Sequence, residues 1–290
     1  MQNNTSLTQK RIRPLESLLK GLIYLCSGLI VVMVVYFLGY ILFRGLPSLN
    51  WTFLSGKPDY LNDTYGILPG IINTVYMIVV SLLIAAPIGI GGAIYLTEYA
   101  KKGRLVSAIE FTIETLAGIP SIIFGVFGYT FFCLFLDLKV SILSGALTLT
   151  LIVLPTIVRT TQEALKSVPE TYREGALGMG ATKWYMIRTI ILPSCLPGII
   201  TAVILSIGRI VGESAALLLT AGAATDLPKR LLGHLGSNGA TLTIQMYMAA
   251  YNNGKIDIAF GIAAVILFIV LSLNFATKYT GKALSRKHGK

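Results

Sequence analysis

The sequence is poor in charged residues, in cysteine and in histidine. Only 13% of its 290 residues are charged, whereas 54% are hydrophobic and the mean hydropathy is +0.73. This composition excludes a soluble globular protein and indicates a membrane protein. Cys26, Cys133 and Cys195 lie in or beside apolar segments, and the two histidines are far apart in sequence. We therefore expect small buried thiols, with neither a disulfide framework nor a zinc site.

The sequence also lacks the motifs of several enzyme classes. It contains no G-x-x-x-x-G-K-[ST] phosphate-binding loop, no H-E-x-x-H motif and no plausible Ser/His/Asp set. We therefore expect no catalytic residue, no metal site and no cofactor bound by this chain. If the molecule uses chemical energy, that energy must come from a partner.

What the sequence does contain is a series of uncharged apolar runs, each about twenty residues long, which predict six transmembrane helices. The predicted spans are 21–43, 71–96, 115–136, 140–158, 196–220 and 258–277. The first run is too long for the hydrophobic region of a signal peptide, and no cleavage-site pattern follows it. Pro87 and Gly89 predict a kink or a close helix contact in the second span. Pro120 predicts that the third span is broken or re-entrant, and the fourth is expected to end near Pro155.

Basic residues outnumber acidic ones by 24 to 13, and their placement predicts the topology. They cluster beside the spans, as the positive-inside rule expects, so nucleic acid is not the predicted partner; membrane lipid is. One side of the membrane receives Lys10, Arg11, Arg13, Lys20, Lys101, Lys102, Arg104, Arg159, Lys166, Arg173, Lys183, Arg188, Lys278, Lys282, Arg286, Lys287 and Lys290. The other side receives only Arg44, Lys57, Lys139, Lys229, Arg230 and Lys255. Both termini are therefore predicted to be cytosolic. We divide the chain into a cytosolic segment (1–20), a six-helix domain (21–277) and a basic cytosolic tail (278–290).

Two segments outside the spans also have a helical pattern. Lys101 to Glu114 is amphipathic, with Glu110 and Glu114 on one side, and is expected to lie on the cytosolic interface. Leu242 to Tyr251 is expected to form a short helix across the outer mouth of the bundle.

The most informative polar segment is Pro169 to Pro193, within a cytosolic loop at about 159–195. A hydroxyl at Ser167, a proline and an acidic residue predict a helix start here. Gly180 predicts the end of that helix, and Thr182 the cap of a second helix that ends near Pro193. An ordinary connector would be shorter and would need no such internal order. The alternative is an amphipathic connector with no binding role.

This segment resembles the "EAA" loop of ABC importer permeases. Glu174-Gly175-Ala176, three residues, Gly180, nine residues and then Ile190-Ile-Leu192-Pro193 match the spacing of that loop. In that family the loop is a coupling helix that docks into a groove of a cytosolic ATPase subunit. The resemblance implies an ATPase-coupling role for Glu174, Gly175, Ala176, Gly180, Leu192 and Pro193.

A charged pair lies inside the predicted fifth span. Arg209 is near its middle, where a charge costs at least about 2.5–3.5 kcal/mol to insert. Glu213 follows four residues later, so a continuous helix would place it on the same face and offset part of that cost. Gly208 and Gly212 would let another helix approach. Because a guanidinium suits tetrahedral oxyanions, we interpret the pair as part of an anion path. The alternative is an ion pair that only fixes helix register.

The runs 208–222, 66–76 and 116–129 are similar to PstA-type permeases of the phosphate ABC importer. In that family the arginine and glutamate that match Arg209 and Glu213 are regarded as important for phosphate passage. The predicted substrate-path residues are Arg209, Glu213 and Ser214.

The resemblance implies an all-α integral membrane protein with six transmembrane helices, the type I ABC importer permease fold, in a bacterial cell membrane. It further implies a second permease of the PstC type, two ATPase subunits of the PstB type that hold ATP and magnesium, and an external phosphate-binding protein of the PstS type. The alternatives are a permease for another oxyanion, such as sulfate or molybdate, and a secondary transporter or channel.

Overall fold

The computed structural model describes residues 14–58, 65–101, 103–227, 233–252 and 254–288, and every regular element in these ranges is helical. The helices are α1 (Pro14–Gly45), α2 (Trp51–Ser55), α3 (Leu68–Ile94), α4 (Arg104–Gly118), α5 (Ser121–Gly128), α6 (Ile142–Lys166), α7 (Glu170–Gly178), α8 (Lys183–Met186), α9 (Leu192–Gly212), α10 (Ala215–Thr220), α11 (Leu242–Tyr247) and α12 (Ile256–His288). Four π-helical turns extend helices at Tyr95–Tyr99, Tyr129–Phe135, Ile187–Ile191 and Met248–Asn252. The predicted all-α fold is confirmed.

Five helical stretches are long and apolar enough to cross a membrane, and a bent pair, Arg104–Gly118 with Ser121–Phe135, makes a sixth when it is counted as one span. The long spans are Leu18–Ser48, Leu68–Tyr99, Ile142–Lys166, Lys183–Gly212 and Ile256–Tyr279. The structure thus agrees with six transmembrane helices. Residues 1–13, at the start of the predicted cytosolic segment, lie outside the described residues, and α12 continues to His288 across most of the predicted tail.

The main core lies between α3, α6, α9 and α10. Its fully buried side chains include Met77, Leu149, Ile210 and Leu217. The most hydrophobic part of α1 contains no buried residue, whereas its C-terminal end packs on α12 through Tyr40 and Phe260, so most of the apolar surface of α1 is open to lipid or to a partner.

The third span is broken at a proline, as predicted, and the break divides it into two helices. Proline disfavours helical geometry in the residue before it, and Ile119 is extended with ψ 133°. The amphipathic segment therefore becomes a separate helix, α4, and the chain bends by 102° before α5. Glu114 and Glu110 of α4 pair with Arg159 and Lys166 of α6.

The prediction that the fourth span ends near Pro155 is wrong. Pro155 is buried inside α6, which continues to Lys166. Proline is tolerated within membrane helices because neighbouring groups satisfy the freed backbone carbonyl, and two thirds of the most apolar part of α6 is buried against other helices.

The predicted limits of the fifth span are also wrong at both ends. The span begins at Lys183, because α8 passes through the turn Ile187–Ile191 directly into α9. Pro193 lies in the first turn of α9, where a proline is favoured, so no helix ends there. At its other end the helix stops at Gly212, and α10 is a separate short helix.

Candidate functional site

The loop between α6 and α9 forms the predicted helix-turn-helix. Pro169 is extended with ψ 139° and directly precedes α7. The expected capping role of Ser167 is wrong, since its hydroxyl donates to the carbonyl of Ala164 in α6. Thr182 does cap α8, accepting the N–H of Tyr185 at 3.3 Å.

Gly180 ends α7 as predicted, in a left-handed conformation with φ +84°. Its N–H donates to the carbonyl of Leu177 at 2.9 Å, and the N–H of Ala181 donates to that of Ala176 at 3.1 Å. These two bonds form a Schellman motif, which satisfies the last carbonyls of a helix and favours glycine at this position.

The residues of the EAA-like motif separate into an outward group and an inward group. Glu174, Gly175 and Gly180 are exposed, whereas Ala176 is only 3% exposed. Ala176 packs in a second apolar cluster that also contains Leu192. Pro193, beside Leu192, is half-buried in the first turn of α9.

The outward surface of this loop is unusually apolar for a polar segment. Five large side chains are more than 45% exposed: Tyr172 51%, Leu177 49%, Met179 88%, Trp184 58% and Tyr185 59%. Exposed apolar patches rimmed by polar residues mark interaction sites. This surface, defined by these five residues, is a candidate docking face.

Sequence reasoning missed the residue that holds α7 in place, Arg173. Its Nη2 donates to Glu98 Oε1 at 2.9 Å, and its Nε lies 3.2 Å from the same oxygen. It also donates to the carbonyls of Val168 and Leu165, both at 2.9 Å, and to Glu170 at 3.2 Å. The bond with Glu98 raises the pKa of the Arg173 guanidinium, although burial acts in the opposite direction. No sequence pattern joins Arg173 to a partner 75 residues away.

The second candidate region is the break between α9 and α10. Glu213 is extended, with φ −81° and ψ 123°, so it does not continue the helix that carries Arg209. Its carboxylate accepts the N–H of Ala216 at 3.1 Å, and its carbonyl accepts the hydroxyl of Thr243 at 2.9 Å. Glu213 is 8% exposed and is thus held by α10 and α11.

The expected pairing of Arg209 with Glu213 on one helix face is therefore wrong. Arg209 lies in the last turn of α9 and is half-buried. In the described part of the chain it makes no ion pair or hydrogen bond through its side chain. The donors of this guanidinium are not used by other described residues, and their planar arrangement suits an oxyanion.

Ser214 lies at the break itself and borders two cavities. One, of about 230 Å³, is lined by Ser214 together with apolar residues of α5, α10 and α11. The other, of about 630 Å³, lies between α1, α11 and α12 and also includes Gly212 and Thr243. Across the described ranges, no three His, Cys, Asp or Glu side chains come together as metal ligands do.

The sequence of this chain is similar to those of known transport proteins. Residues 85–289 match the family described as "binding-protein-dependent transport system inner membrane component". A probable ABC transporter permease, YqgI of Bacillus subtilis, is 32% identical, with 94% of this chain and 97% of that protein covered. The phosphate transport system permease PstA of Haemophilus influenzae is 31% identical over 96% of this chain and 98% of its own length. PstA of Pasteurella multocida is 38% identical over 67% and 71%.

Solved structures of other ABC transporters have the same fold as this chain. A bacterial ABC transporter for alginate import superposes with a TM-score of 0.62 at 17% identity, covering 93% of this chain and 99% of that one. The inward-facing MetNI methionine ABC transporter superposes with a TM-score of 0.58 at 23% identity, covering 77% and 95%. The family match spans more than half of the chain, and this fold is that of type I ABC importer permeases. The chain therefore belongs to the binding-protein-dependent inner membrane components, the membrane-spanning permease subunits of ABC importers.

Proposed function

We propose that this chain is the permease subunit of an ATP-driven importer that moves inorganic phosphate into the cell. Its family is that of transport components in which a separate subunit is the ATPase. The relatives named PstA support phosphate as the cargo. The observation that carries the proposal is Arg209, a half-buried guanidinium beside the helix break and without a described partner.

In this proposal, phosphate passes along the end of α9. The planar donors of Arg209 suit a tetrahedral oxyanion. Glu213 supports the passage by fixing the break, because its carboxylate begins α10 and its carbonyl holds α11. Ser214 places a hydroxyl where the helical backbone is interrupted.

Partner ATPases of the PstB type, which hold ATP and magnesium, would dock on the loop that carries Glu174 and Gly180. The docking face fits such a partner, because its aromatic and methionine side chains are types enriched at interfaces. A sister permease of the PstC type and an external PstS-type binding protein would complete the importer. The distribution of lysine and arginine supports a cytosolic position for the loop and both termini.

Movement of the ATPases would then shift the bundle between inward-open and outward-open states. Such a shift requires the partners to contact the two states differently, since a ligand with equal affinity for both changes no population. The chain itself contributes the path and the docking face, and no cofactor is assigned to it.

Arg209→Gln tests the cargo path. We expect ATP-driven phosphate uptake to fall at least about tenfold, because each kcal/mol of lost anion stabilisation has an exponential effect on rate. Arg209→Lys should retain part of the activity, since it keeps the charge but loses the fork. Uptake of labelled phosphate into vesicles is the measurement, with Arg104→Gln, an exposed arginine at the start of α4, as the matched control.

Undiminished phosphate flux in Arg209→Gln, in a complex of normal composition, would remove Arg209 from the path. Competition by sulfate or molybdate at the concentration at which phosphate itself competes would assign another oxyanion as the cargo.

A further inference from the structure

Helix α7 is attached to the rest of the chain by one narrow face. All of its residues are exposed except Arg173 and Ala176. These two are three positions apart and therefore lie on the same side of the helix. Ala176 contributes only a methyl group to the apolar cluster beneath. Arg173 is thus the polar anchor of α7.

Arg173 uses the whole donor capacity of its guanidinium, which has five N–H groups. One Nη1 bond goes to the carbonyl of Val168 and another to Glu170. One Nη2 bond goes to the carbonyl of Leu165 and another to Glu98, and the Nε–H is directed at the same carboxylate. Three elements therefore meet at one side chain: the end of α6, the first turn of α7 and the extension of α3.

Glu98 is the only residue in this set from the π-helical turn that extends α3, and its side chain is buried. The side chain of Glu98 is 5% exposed and that of Arg173 is 11% exposed. For comparison, the side chains of Glu114 and Arg159, which pair between α4 and α6, are 52% and 43% exposed. A buried ion pair with several hydrogen bonds keeps its geometry far better than a solvent-exposed ion pair.

A second cation from the loop contacts Tyr99, the residue that follows Glu98. The ammonium of Lys183, at the start of α8, lies 5.1 Å from the centre of the Tyr99 ring. Glu98 and Tyr99 both lie in the π-helical turn Tyr95–Tyr99 that continues α3. Both short helices of the loop are therefore tied to the same turn of one membrane span.

We propose that the Glu98–Arg173 pair is a strut that transmits movement of α7 to α3, with Lys183 and Tyr99 as a second link. When a partner displaces α7, the strut moves the end of α3 with it, and α3 packs along α6 in the main core. Glu98 and Arg173 are positioning residues, since neither lies in the path at Arg209. The inference rests on the proposed coupling to ATPases and is independent of the cargo.

The test uses the complete importer in vesicles, with phosphate uptake and ATP hydrolysis measured in the same sample. In Glu98→Gln the amide still fits the site but the charge-assisted bonds are lost. We expect phosphate moved per ATP hydrolysed to fall at least about fivefold, with complex yield and hydrolysis rate within about twofold of wild type. Glu114→Gln, the matched control in the solvated pair, should keep the wild-type ratio.

A double variant, Glu98→Met with Arg173→Met, keeps the test valid if Glu98→Gln assembles poorly. Removing both partners of a buried pair leaves no orphaned charge and is often neutral for folding. The double variant should show the same low ratio of phosphate moved to ATP hydrolysed as Glu98→Gln. A second readout is amide hydrogen exchange in residues 95–99, where ATP addition should change the exchange rate in wild type and leave both variants unchanged.

An unchanged ratio in Glu98→Gln overturns the strut. So does a parallel fall of yield, hydrolysis and uptake in both variants, which would indicate a purely structural pair. If wild type itself shows neither ATP-dependent uptake nor ATP-dependent exchange, the proposed coupling fails and the strut with it. ATP-dependent exchange at residues 95–99 without phosphate uptake would support the strut and reject the cargo.

Discussion

At the scale of single residues, Gly180 determines the geometry of the turn between α7 and α8. Its φ of +84° is accessible to glycine but costs other residues roughly 1–2 kcal/mol, and a β-branched residue more. Gly180→Val should therefore open the Schellman turn and displace Met179 and Trp184 of the docking face. We expect at least a fivefold loss of ATPase retained on the purified permease, measured by co-purification.

The control for this prediction is two residues away. Gly178 is the last residue of α7, and the methyl group added in Gly178→Ala would meet nothing within 4 Å. The substitution should favour the helix by up to about 1 kcal/mol and leave ATPase retention unchanged. Normal retention in Gly180→Val would contradict the assigned role of the turn.

Single residues also show which parts of the site could be predicted from sequence. Gly180 and Thr182 were predictable because a left-handed turn and a helix cap are local, and their chemistry is decided within three residues. The Glu98–Arg173 pair was not, because its partners meet only after α3 and α7 have been placed by the fold. The separation of Arg209 from Glu213 could not be predicted from the sequence, because no proline marks the end of α9 at Gly212.

At the scale of elements, the close approach of α3 and α6 depends on Gly89. A β-carbon at this position would lie 2.7 Å from Ile157 Cγ2, which is shorter than any stable carbon contact. Gly89→Ala should destabilise the bundle by about 1–3 kcal/mol through overpacking, seen as a lower thermal midpoint in detergent. Gly91→Ala, two residues on in the same helix, would meet nothing within 4 Å and should not lower the midpoint. Equal midpoints for the two variants would contradict the packing of α3 on α6.

A buried histidine joins the loop between α10 and α11 to α3. His234 Nε2 lies 2.8 Å from Asn73 Oδ1, and the Asn73 amide donates to the carbonyl of Ala240 at 3.0 Å. Burial lowers the pKa of His234, whereas the charge of Asp226 acts in the opposite direction. The unfolded chain therefore takes up a proton below about pH 6.5 before the folded chain does, and stability is lost as the pH falls through this range.

This linkage predicts a pH-dependent thermal midpoint. The midpoint of wild type should drop between pH 7.5 and pH 5.5 by more than that of His234→Gln, whose amide can donate to Asn73 but does not titrate. The measurement is thermal unfolding of both proteins in the same detergent at the two pH values. Parallel drops would show that His234 does not contribute.

Proline shows why element boundaries were only partly predictable. Pro120 and Pro155 are both in apolar runs, yet the chain bends by 102° at the first and α6 continues through the second. The difference is in the surroundings, because Pro155 is buried among neighbouring helices and Pro120 is exposed. Packing of this kind is a tertiary property that local sequence does not contain.

At the scale of the whole molecule, the chain has the features of a subunit. It presents apolar surface along most of α1 and on the outward faces of α3 and α5. It presents a second apolar surface, the docking face, on a polar loop. Arg209 and the docking face are at separate places in the chain, and the Arg173–Glu98 ion pair is one of the contacts that join the loop to the bundle.

The most direct test of the account is uptake of labelled phosphate into vesicles that contain this chain and its sister permease, with binding protein outside and ATP inside. Phosphate should accumulate only when the ATPase subunits are also present. Accumulation at the full rate from this chain alone, without ATPase or ATP, would contradict it.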